Sequence, residues 1–171
     1  DEVSNIDHKS QKISFRTAAD LSYDKLILAS GSQLTVPEIP GLKKHAFNID
    51  TFDAAKKLQE HVGSLSRHNT DGQFTIVVAG GGFTGVEAAT DFMDRLIKIT
   101  PENKEPRVIV IDRTDVASRF SAETQAVILK AFNDMDIETM SNVEIKEVHR
   151  DHIKLSNGEK INTQTVVWTA G

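Results

Sequence analysis

A glycine-rich segment that follows a β-branched run and opens a helical pattern constrains the fold of this chain most. Residues 75–89 read TIVVAGGGFTGVEAA, in which Gly80, Gly82 and Gly85 match the pattern G-x-G-x-x-G. The pattern is informative when it lies between a buried strand and an amphipathic helix, and both are predicted here. The segment therefore predicts a Rossmann-like unit whose turn approaches the pyrophosphate of a dinucleotide.

Each glycine of the pattern has a separate physical task. Gly80 permits the tight turn after the strand, Gly82 lets the backbone approach a pyrophosphate, and Gly85 lets the helix pack close to the strand. Free N–H groups at the start of the helix, together with the positive end of its dipole, then face the phosphates. The remaining cofactor-binding candidates in this turn are Gly81, Phe83 and Thr84. The alternative is a tight turn without a ligand.

An acidic residue at the end of the next β-branched run supports the dinucleotide interpretation. Asp112 follows the run 107–111, and the polar loop 100–106 places it further from Gly85 than the usual spacing of about 20 residues. A carboxylate here accepts hydrogen bonds from a ribose 2′-hydroxyl and repels a 2′-phosphate, which favours NADH over NADPH. Arg113, the next residue, acts against that preference. The alternative for Asp112 is a solvated residue at a strand end.

Four apolar runs and three helical patterns predict an α/β fold, a Rossmann-like parallel sheet with flanking helices. Continuous β-branched runs are typical of strands that are buried on both faces of a parallel sheet. The runs cover residues 26–29, 76–79, 108–111 and 166–168. Helices are predicted from the N-cap Thr51 to about residue 66, over residues 84–99, and from the N-cap Ser121. Their predicted buried faces include Phe52, Ile97, Leu129 and Phe132.

Shorter patterns toward the two ends of the chain predict antiparallel β-structure. Residues 143–148 alternate apolar and polar side chains, and Asn157-Gly158 suits a tight hairpin turn. Residues 143–162 are therefore predicted to form a small antiparallel β-meander, and residues 3–16 are a second candidate. Residues 36–41 contain two prolines, which disfavour both helix and central strand, so a domain boundary is placed there.

Composition excludes several functions. The chain has 20 Lys and Arg against 25 Asp and Glu, a net charge of −5, which argues against a nucleic-acid partner. It has no cysteine, so these residues hold no disulfide, thiolate zinc site or cysteine nucleophile. His149 and His152, the closest histidine pair, flank a predicted turn, and no metal site is predicted.

The apolar runs are too short for a membrane span. None approaches the roughly 20 residues that cross a bilayer, and the first residues do not form a signal peptide. The protein is expected to be cytoplasmic, with any membrane contact made through regions outside these residues.

Four segments resemble, in order, the two-dinucleotide-fold flavoproteins of the pyridine nucleotide-disulphide oxidoreductase superfamily. They read YDKLILASGS (23–32), PEIPG (37–41), GGGFTGVEAA (80–89) and TVVWTAG (165–171). The resemblance implies three parts of the chain. Residues 1–34 would be a remnant of an FAD-binding domain, residues 35–163 an inserted NAD(H)-binding domain, and residues 164–171 a strand that returns to the FAD domain. Ala170 and Gly171 are then further cofactor-binding candidates.

Within the superfamily, residues 80–87 and 166–171 are most similar to type II NADH dehydrogenases, which pass electrons from NADH through FAD to a quinone. The resemblance implies that Glu87 lies near the nicotinamide and the flavin. On physical grounds alone, Glu87 would have a structural role, as an acidic residue in the first turn of the helix that the helix dipole stabilises. Ser30 and Phe83 depart from the usual Thr and Pro without changing the glycine spacing. The expected partners are NADH and a quinone or another electron acceptor.

Other functions fit the same residues. The chain could be a stand-alone NAD-sensing module without flavin, or a Rossmann-like scaffold without a ligand. It could also belong to an NADH oxidase or a disulfide reductase whose cysteine pair precedes Asp1. Because most of the expected FAD domain is not among these residues, the chain is predicted to bind nucleotide without oxidising it.

Overall fold

The computed structural model of the chain describes residues 1–31, 36–67 and 69–170. The chain divides into two compact units, Asp1–Ser32 and Gln33–Gly171. The predicted end of the first domain, at residues 34–35, lies outside the described residues.

The first unit is built on an antiparallel sheet. Its strands β1 (Val3–Asp7), β2 (Lys12–Phe15) and β3 (Leu21–Ser22) lie in the order β1-β2-β3. The turn between β1 and β2 is held by Asp7, whose Oδ1 accepts the N–H of Lys9 at 2.9 Å. The candidate antiparallel structure over residues 3–16 is therefore confirmed.

The predicted strand over residues 26–29 is wrong. This segment has no regular structure, and Ile27 and Leu28 are 88% and 72% exposed. A strand needs a neighbour that pairs with its N–H and C=O groups. No strand in the described part of the chain pairs with residues 26–29, so an apolar composition alone does not make the segment a strand.

The second unit combines a parallel sheet, an antiparallel sheet and helices. Its strands are β4 (Ala46–Phe47), β5 (Thr75–Ala79), β6 (Arg107–Ile111), β7 (Ile137–Met140), β8 (Ile145–Val148), β9 (His152–Leu155), β10 (Lys160–Asn162) and β11 (Thr165–Trp168). Its helices are α1 (Leu42–His45), α2 (Phe52–Ser64), α3 (Phe83–Ile99) and α4 (Ala122–Asp134). Among the described residues, the parallel sheet has the order β4-β11-β5-β6-β7 and the predicted meander the order β10-β9-β8.

The parallel sheet is covered on both faces by different layers. Ile76 and Val108 face one core, which α2, α3 and Phe132 of α4 complete. Val77 and Ile109 face the other core, which contains apolar side chains of the meander. Two covered faces explain why β5 and β6 are continuously apolar. The predicted α/β class is confirmed, and α2, α3 and α4 pack on the face opposite the meander.

The helix starts follow the predicted caps. The Oγ1 of Thr51 accepts the N–H of Ala54, and the Oγ of Ser121 accepts the N–H of Thr124, both at 3.2 Å. Part of the predicted buried faces is wrong, because successive residues are turned by about 100° and one stripe only meets the sheet. Phe52, Ile97 and Leu129 are exposed, whereas Phe132 is buried.

Candidate functional site

The glycine turn between β5 and α3 is shaped by contacts with the end of β11. Gly80 has φ +112°, and a Cβ there would lie 2.9 Å from the N of Ala170. A Cβ on Gly85 would lie 1.8 Å from the carbonyl O of Gly80, closer than any real contact. The first turn of α3 therefore approaches the loop so closely that neither position accepts a side chain.

The other two glycines differ from each other. A Cβ on Gly81 would lie 3.1 Å from Val116, whereas a Cβ on Gly82 would meet no described atom within 4 Å. Gly82 is the N-cap of α3, and its φ of −81° is open to any residue. The fold of the described residues thus excludes a side chain at Gly80 and Gly85 and would crowd one at Gly81, whereas it does not disfavour one at Gly82.

The start of α3 carries backbone donors without a side-chain cap. In the described residues no side chain accepts a hydrogen bond at this N-cap. The first N–H groups of a helix have no partner within the helix, and the dipole makes them attractive to an anion. By contrast, the N–H groups of Gly80 and Gly81 are already bound, to the carbonyl O of Ile111 at 2.8 Å and to Asp112 at 2.7 Å.

Asp112 joins the glycine turn to the loop after β6. Its Oδ2 accepts the N–H of Gly81, and its Oδ1 accepts the N–H of Thr114 at 2.8 Å and the Thr114 hydroxyl at 2.9 Å. A carboxylate offers about four acceptor positions, so about one position, on Oδ2, is left for a ligand.

The hydrogen bonds to Asp112 stabilise its charged form. Partial burial of the carboxyl acts to raise its pKa, but the hydrogen bonds from Thr114 and Gly81 outweigh burial and, with the charge of Arg119, hold the pKa below its usual value. A lowered pKa in the folded state adds stability above the ordinary carboxyl pKa of about 3.9, and that stability is lost as the pH falls through the folded value.

Asp112→Asn tests this linkage. At pH 7 we expect a loss of about 1–3 kcal/mol in the free energy of unfolding, because a charged acceptor is removed from the N–H groups of Gly81, which is buried, and of Thr114. The difference between the wild type and the variant should shrink as the pH falls from the ordinary carboxyl pKa of about 3.9 through the lower pKa of the folded state. Urea unfolding at neutral and acid pH measures both values. A difference that does not change with pH would contradict the assignment.

A cavity of about 670 Å³ extends over the carboxyl ends of β5, β6 and β11. In open α/β sheets, this end is where ligands bind. The cavity is lined by five of the predicted site residues, namely Gly80, Gly82, Asp112, Arg113 and Ala170. Other predicted residues lie outside its lining: Gly81, Phe83, Thr84, Gly85 and Glu87. Gly171 lies outside the described residues.

Glu87 and Phe83 are exposed on α3. The helix begins at Phe83, so Glu87 lies in its second turn and no acidic residue occupies the first. The explanation of Glu87 as a first-turn acid is therefore wrong. Its carboxylate has no hydrogen-bond or ion-pair partner within the described ranges. The Phe83 ring is 73% exposed and lies 4.6 Å, between centroids, from the ring of Phe120.

Thr169 connects β11 to the glycine turn, and sequence reasoning missed it. Its hydroxyl donates to the carbonyl O of Ala79 at 2.9 Å and lies 3.2 Å from that of Gly80. Its position was signalled in the sequence, because a polar residue directly follows a buried parallel strand. The cavity also contains Trp168, the only tryptophan of the chain.

The loop after Asp112 contributes residues that no sequence pattern signalled. Ser118 and Arg119 line the cavity because the chain turns back at Ala117, which has φ +60° and is buried. The Ala117 N–H donates to the carbonyl O of Gly81 at 3.0 Å. This loop is therefore fixed against the glycine turn by tertiary contacts.

The described residues contain no group of three His, Asp or Glu side chains that could hold a metal ion. His149 and His152 flank the turn between β8 and β9, with their rings stacked 4.3 Å apart and hydrogen-bonded to Glu147 and Asp151. Of the described helices, none has the length and apolar character needed to cross a membrane.

The fold and the glycine turn define a Rossmann-like dinucleotide-binding unit. The chain belongs to the pyridine nucleotide-disulphide oxidoreductase family, which it matches over residues 1–171. This match confirms the family indicated by the sequence motifs and, with it, the cofactors expected of a member, NAD(H) and FAD.

Individual proteins that resemble this chain support the family assignment. A protein of Mycobacterium tuberculosis named as NADH dehydrogenase-like is 37% identical over 174 residues, which cover 99% of this chain and 44% of the relative. A type II NADH:quinone oxidoreductase of Staphylococcus aureus is 27% identical, with 99% and 46% covered. The structure of NDH2 from Plasmodium falciparum in complex with NADH has a TM-score of 0.73 at 20% identity, covering 99% of this chain and 40% of that one, and so shares the fold. The chain spans less than half the length of these relatives.

Proposed function

We propose that residues 35–163 are the NADH-binding domain of an FAD-dependent NADH dehydrogenase that passes electrons to a quinone. The observation that carries this proposal is Gly82. Protein contacts require a glycine at positions 80 and 85 and would crowd a Cβ at position 81, yet a Cβ at 82 would enter open space. A ligand that approaches the backbone at this point explains the fourth glycine.

The pyrophosphate of NADH would lie over Gly82 at the start of α3. The uncapped N–H groups of the first helical turn would donate to its oxygens, and the dipole of the 17-residue helix favours the negative charge. Among the predicted phosphate-binding residues, we assign this contact to Gly82, Phe83 and Thr84. Gly80, Gly81 and Gly85 would act by shaping the turn, since their contacts are with protein atoms.

The adenosine ribose would bind beside Asp112. The carboxylate lines the same cavity as Gly82 and keeps an acceptor position on Oδ2 for a ribose hydroxyl. Because this carboxylate is already held by Gly81 and Thr114, it would be oriented before the ligand arrives, which lowers the entropic cost of binding.

Glu87 would contact the nicotinamide side of the nucleotide. It is exposed on the same helix that starts at the pyrophosphate site, and its carboxylate has no partner in the described part of the chain. When bound, the nicotinamide would supply a hydride and the flavin would supply its acceptor. The part of this chain would be to hold NADH and to orient its ring.

The two ends of the chain are assigned to a second domain, which would bind FAD. Residues 1–34 would belong to the FAD-binding domain, and residues 164–171 would return the chain to it. Because β11 lies between β4 and β5 in the parallel sheet, the part of this segment that enters the FAD-binding domain would be Ala170 and Gly171. Exposed Ile27 and Leu28 support this assignment, because an apolar segment of this kind is expected to be covered by further protein. The name of the Staphylococcus aureus relative supports a quinone as the acceptor. Any membrane contact would be made by other regions of the protein.

A calorimetric titration of the chain with NADH tests the proposal, together with the absorbance of NADH over time. We expect saturable binding of one NADH per chain, and no oxidation of NADH without an added flavoprotein. Added FAD alone should not restore oxidation, because most of the FAD domain would be absent. Lack of NADH binding would overturn the proposed site, and oxidation by the chain alone would overturn the domain assignment.

A further inference from the structure

The peptide group that joins Gly80 to Gly81 is hydrogen-bonded on both of its sides. Its carbonyl O, which belongs to Gly80, lies 3.2 Å from the hydroxyl of Thr169. Its N–H, which belongs to Gly81, donates to Oδ2 of Asp112 at 2.7 Å. Because the C=O and N–H of a trans peptide point in opposite directions, Thr169 and Asp112 hold the same peptide plane from opposite sides. Loss of either partner therefore frees one side of this peptide.

The backbone at Gly80 needs such contacts to keep one conformation. Glycine moves more freely between backbone conformations than any other residue, and Gly80 has φ +112°. The Thr169 hydroxyl contacts two successive carbonyl groups there, because it also donates to the carbonyl O of Ala79 at 2.9 Å. The carbonyl of Gly80 in turn faces Gly85 in the first turn of α3, where a Cβ would lie 1.8 Å from it. Thr169 thus acts on the point at which the turn meets the helix.

The hydroxyl of Thr169 is not needed to pair β11 with β5. The backbone N–H of Thr169 donates separately to the carbonyl O of Ala79 at 2.9 Å, and the two strands pair from Thr165 to Trp168 of β11. Removal of the hydroxyl therefore leaves the strand pairing intact and removes only its contacts with the glycine turn.

A second threonine makes an equivalent contact at the other end of the same two strands. Thr163 precedes β11, and its hydroxyl donates to the carbonyl O of Thr75, the first residue of β5, at 2.7 Å. The two threonines differ in their surroundings, because Thr169 lines the cavity and Thr163 lies outside its lining. The chain thus offers a matched pair of hydroxyls, of which one alone adjoins the proposed nucleotide site.

We propose that Thr169 is a positioning residue for nucleotide binding, whose hydroxyl fixes the peptide between Gly80 and Gly81 and thereby the carboxylate of Asp112. The inference rests on the proposed function and adds to it a residue that acts through the turn. Without this hydroxyl the peptide can rotate, so that the Gly81 N–H no longer orients Asp112 and the backbone that leads to Gly82 loses its fixed course. Ligand binding would then have to order both, which lowers the affinity.

Thr169→Ala tests this role by calorimetric titration of the full chain with NADH. We expect the Kd to rise at least about 5-fold, which corresponds to the net contribution of about one hydrogen bond. Thr169→Ser keeps the hydroxyl and should bind NADH within about 2-fold of the wild type. Urea unfolding shows whether each variant is folded under the conditions of the titration. Thr169→Val, which keeps the volume of the side chain without its donor, replaces Thr169→Ala if that variant is unfolded.

Thr163→Ala is the matched control. It removes a hydroxyl-to-carbonyl hydrogen bond from the same pair of strands, outside the cavity lining. We expect a lower urea midpoint, because a buried hydrogen bond is lost, but an NADH Kd within about 2-fold of the wild type.

Asp112→Ala supplies a readout that a purely structural role of Thr169 would not change. This variant already frees the Gly81 side of the peptide, so the addition of Thr169→Ala should raise the NADH Kd by less than about 2-fold further. Such non-additivity is expected of two residues that act through one shared peptide group.

The outcomes distinguish this inference from the proposed function. NADH binding by a folded Thr169→Ala variant as tight as by the wild type would overturn the positioning role and leave the NADH site standing. An equal loss of affinity in Thr163→Ala, no recovery in Thr169→Ser, or a fully additive effect in the Asp112→Ala background would overturn it as well. No binding by the wild type would overturn the proposed function and this inference together.

Discussion

Gly82→Ala is expected to weaken NADH binding at least about 10-fold while changing the free energy of unfolding by less than about 1 kcal/mol. The added methyl group meets no described protein atom within 4 Å, and the backbone at 82 suits any residue. It would instead occupy the space through which the pyrophosphate approaches the start of α3. Calorimetric titration with NADH and urea unfolding measure the two effects separately.

Gly63→Ala is the matched control for this experiment. Gly63 lies near the end of α2, outside the cavity lining, and a Cβ there also meets nothing within 4 Å. We expect it to leave NADH binding unchanged and to stabilise the helix by up to about 1 kcal/mol. If Gly82→Ala binds NADH as tightly as the wild type, the pyrophosphate does not pass over Gly82, and the central argument for the proposed function fails.

Gly85→Ala is expected to have the opposite profile, with a loss of at least about 3 kcal/mol in the free energy of unfolding. The new Cβ would lie 1.8 Å from the carbonyl O of Gly80, and the neighbouring atom is backbone rather than a flexible side chain. Helix α3 would have to move away from the turn, and its buried face would separate from β5 and β6. Urea unfolding gives the loss as a lower midpoint with an unchanged slope.

The sign of this change makes the prediction decisive. An alanine inside a helix is normally more stable than a glycine by about 1 kcal/mol, as expected for Gly63→Ala. Destabilisation by Gly85→Ala therefore reports the tertiary contact with Gly80, because helix propensity would act in the other direction. A Gly85→Ala variant as stable as the wild type would contradict the close approach of α3 to the turn.

Local features of the sequence predicted the elements that build the site. The apolar run of β5, the glycine spacing and the apolar period of α3 lie within 25 residues, and each depends on backbone geometry or on periodicity along the chain. The caps at Thr51 and Ser121 were predictable for the same reason. Short strands such as β4 and β7 were missed, because two or four residues carry too little pattern.

Contacts between residues far apart in the sequence decided which apolar segments form strands. Residues 26–29 and β5 have similar apolar composition, yet of the two only β5 has paired neighbours in the described residues.

By itself the sequence determined a parallel α/β unit with a glycine turn at a strand end and an acid after the next strand. These features follow from local conformational rules. The tertiary structure alone decided that the Gly81 N–H donates to Asp112 and that the Thr169 hydroxyl donates to the carbonyl O of Ala79 at the glycine turn. It also decided that Arg119 reaches the same cavity. Such contacts join residues far apart in the chain, and their geometry depends on how whole layers pack, which no pattern of neighbouring residues specifies.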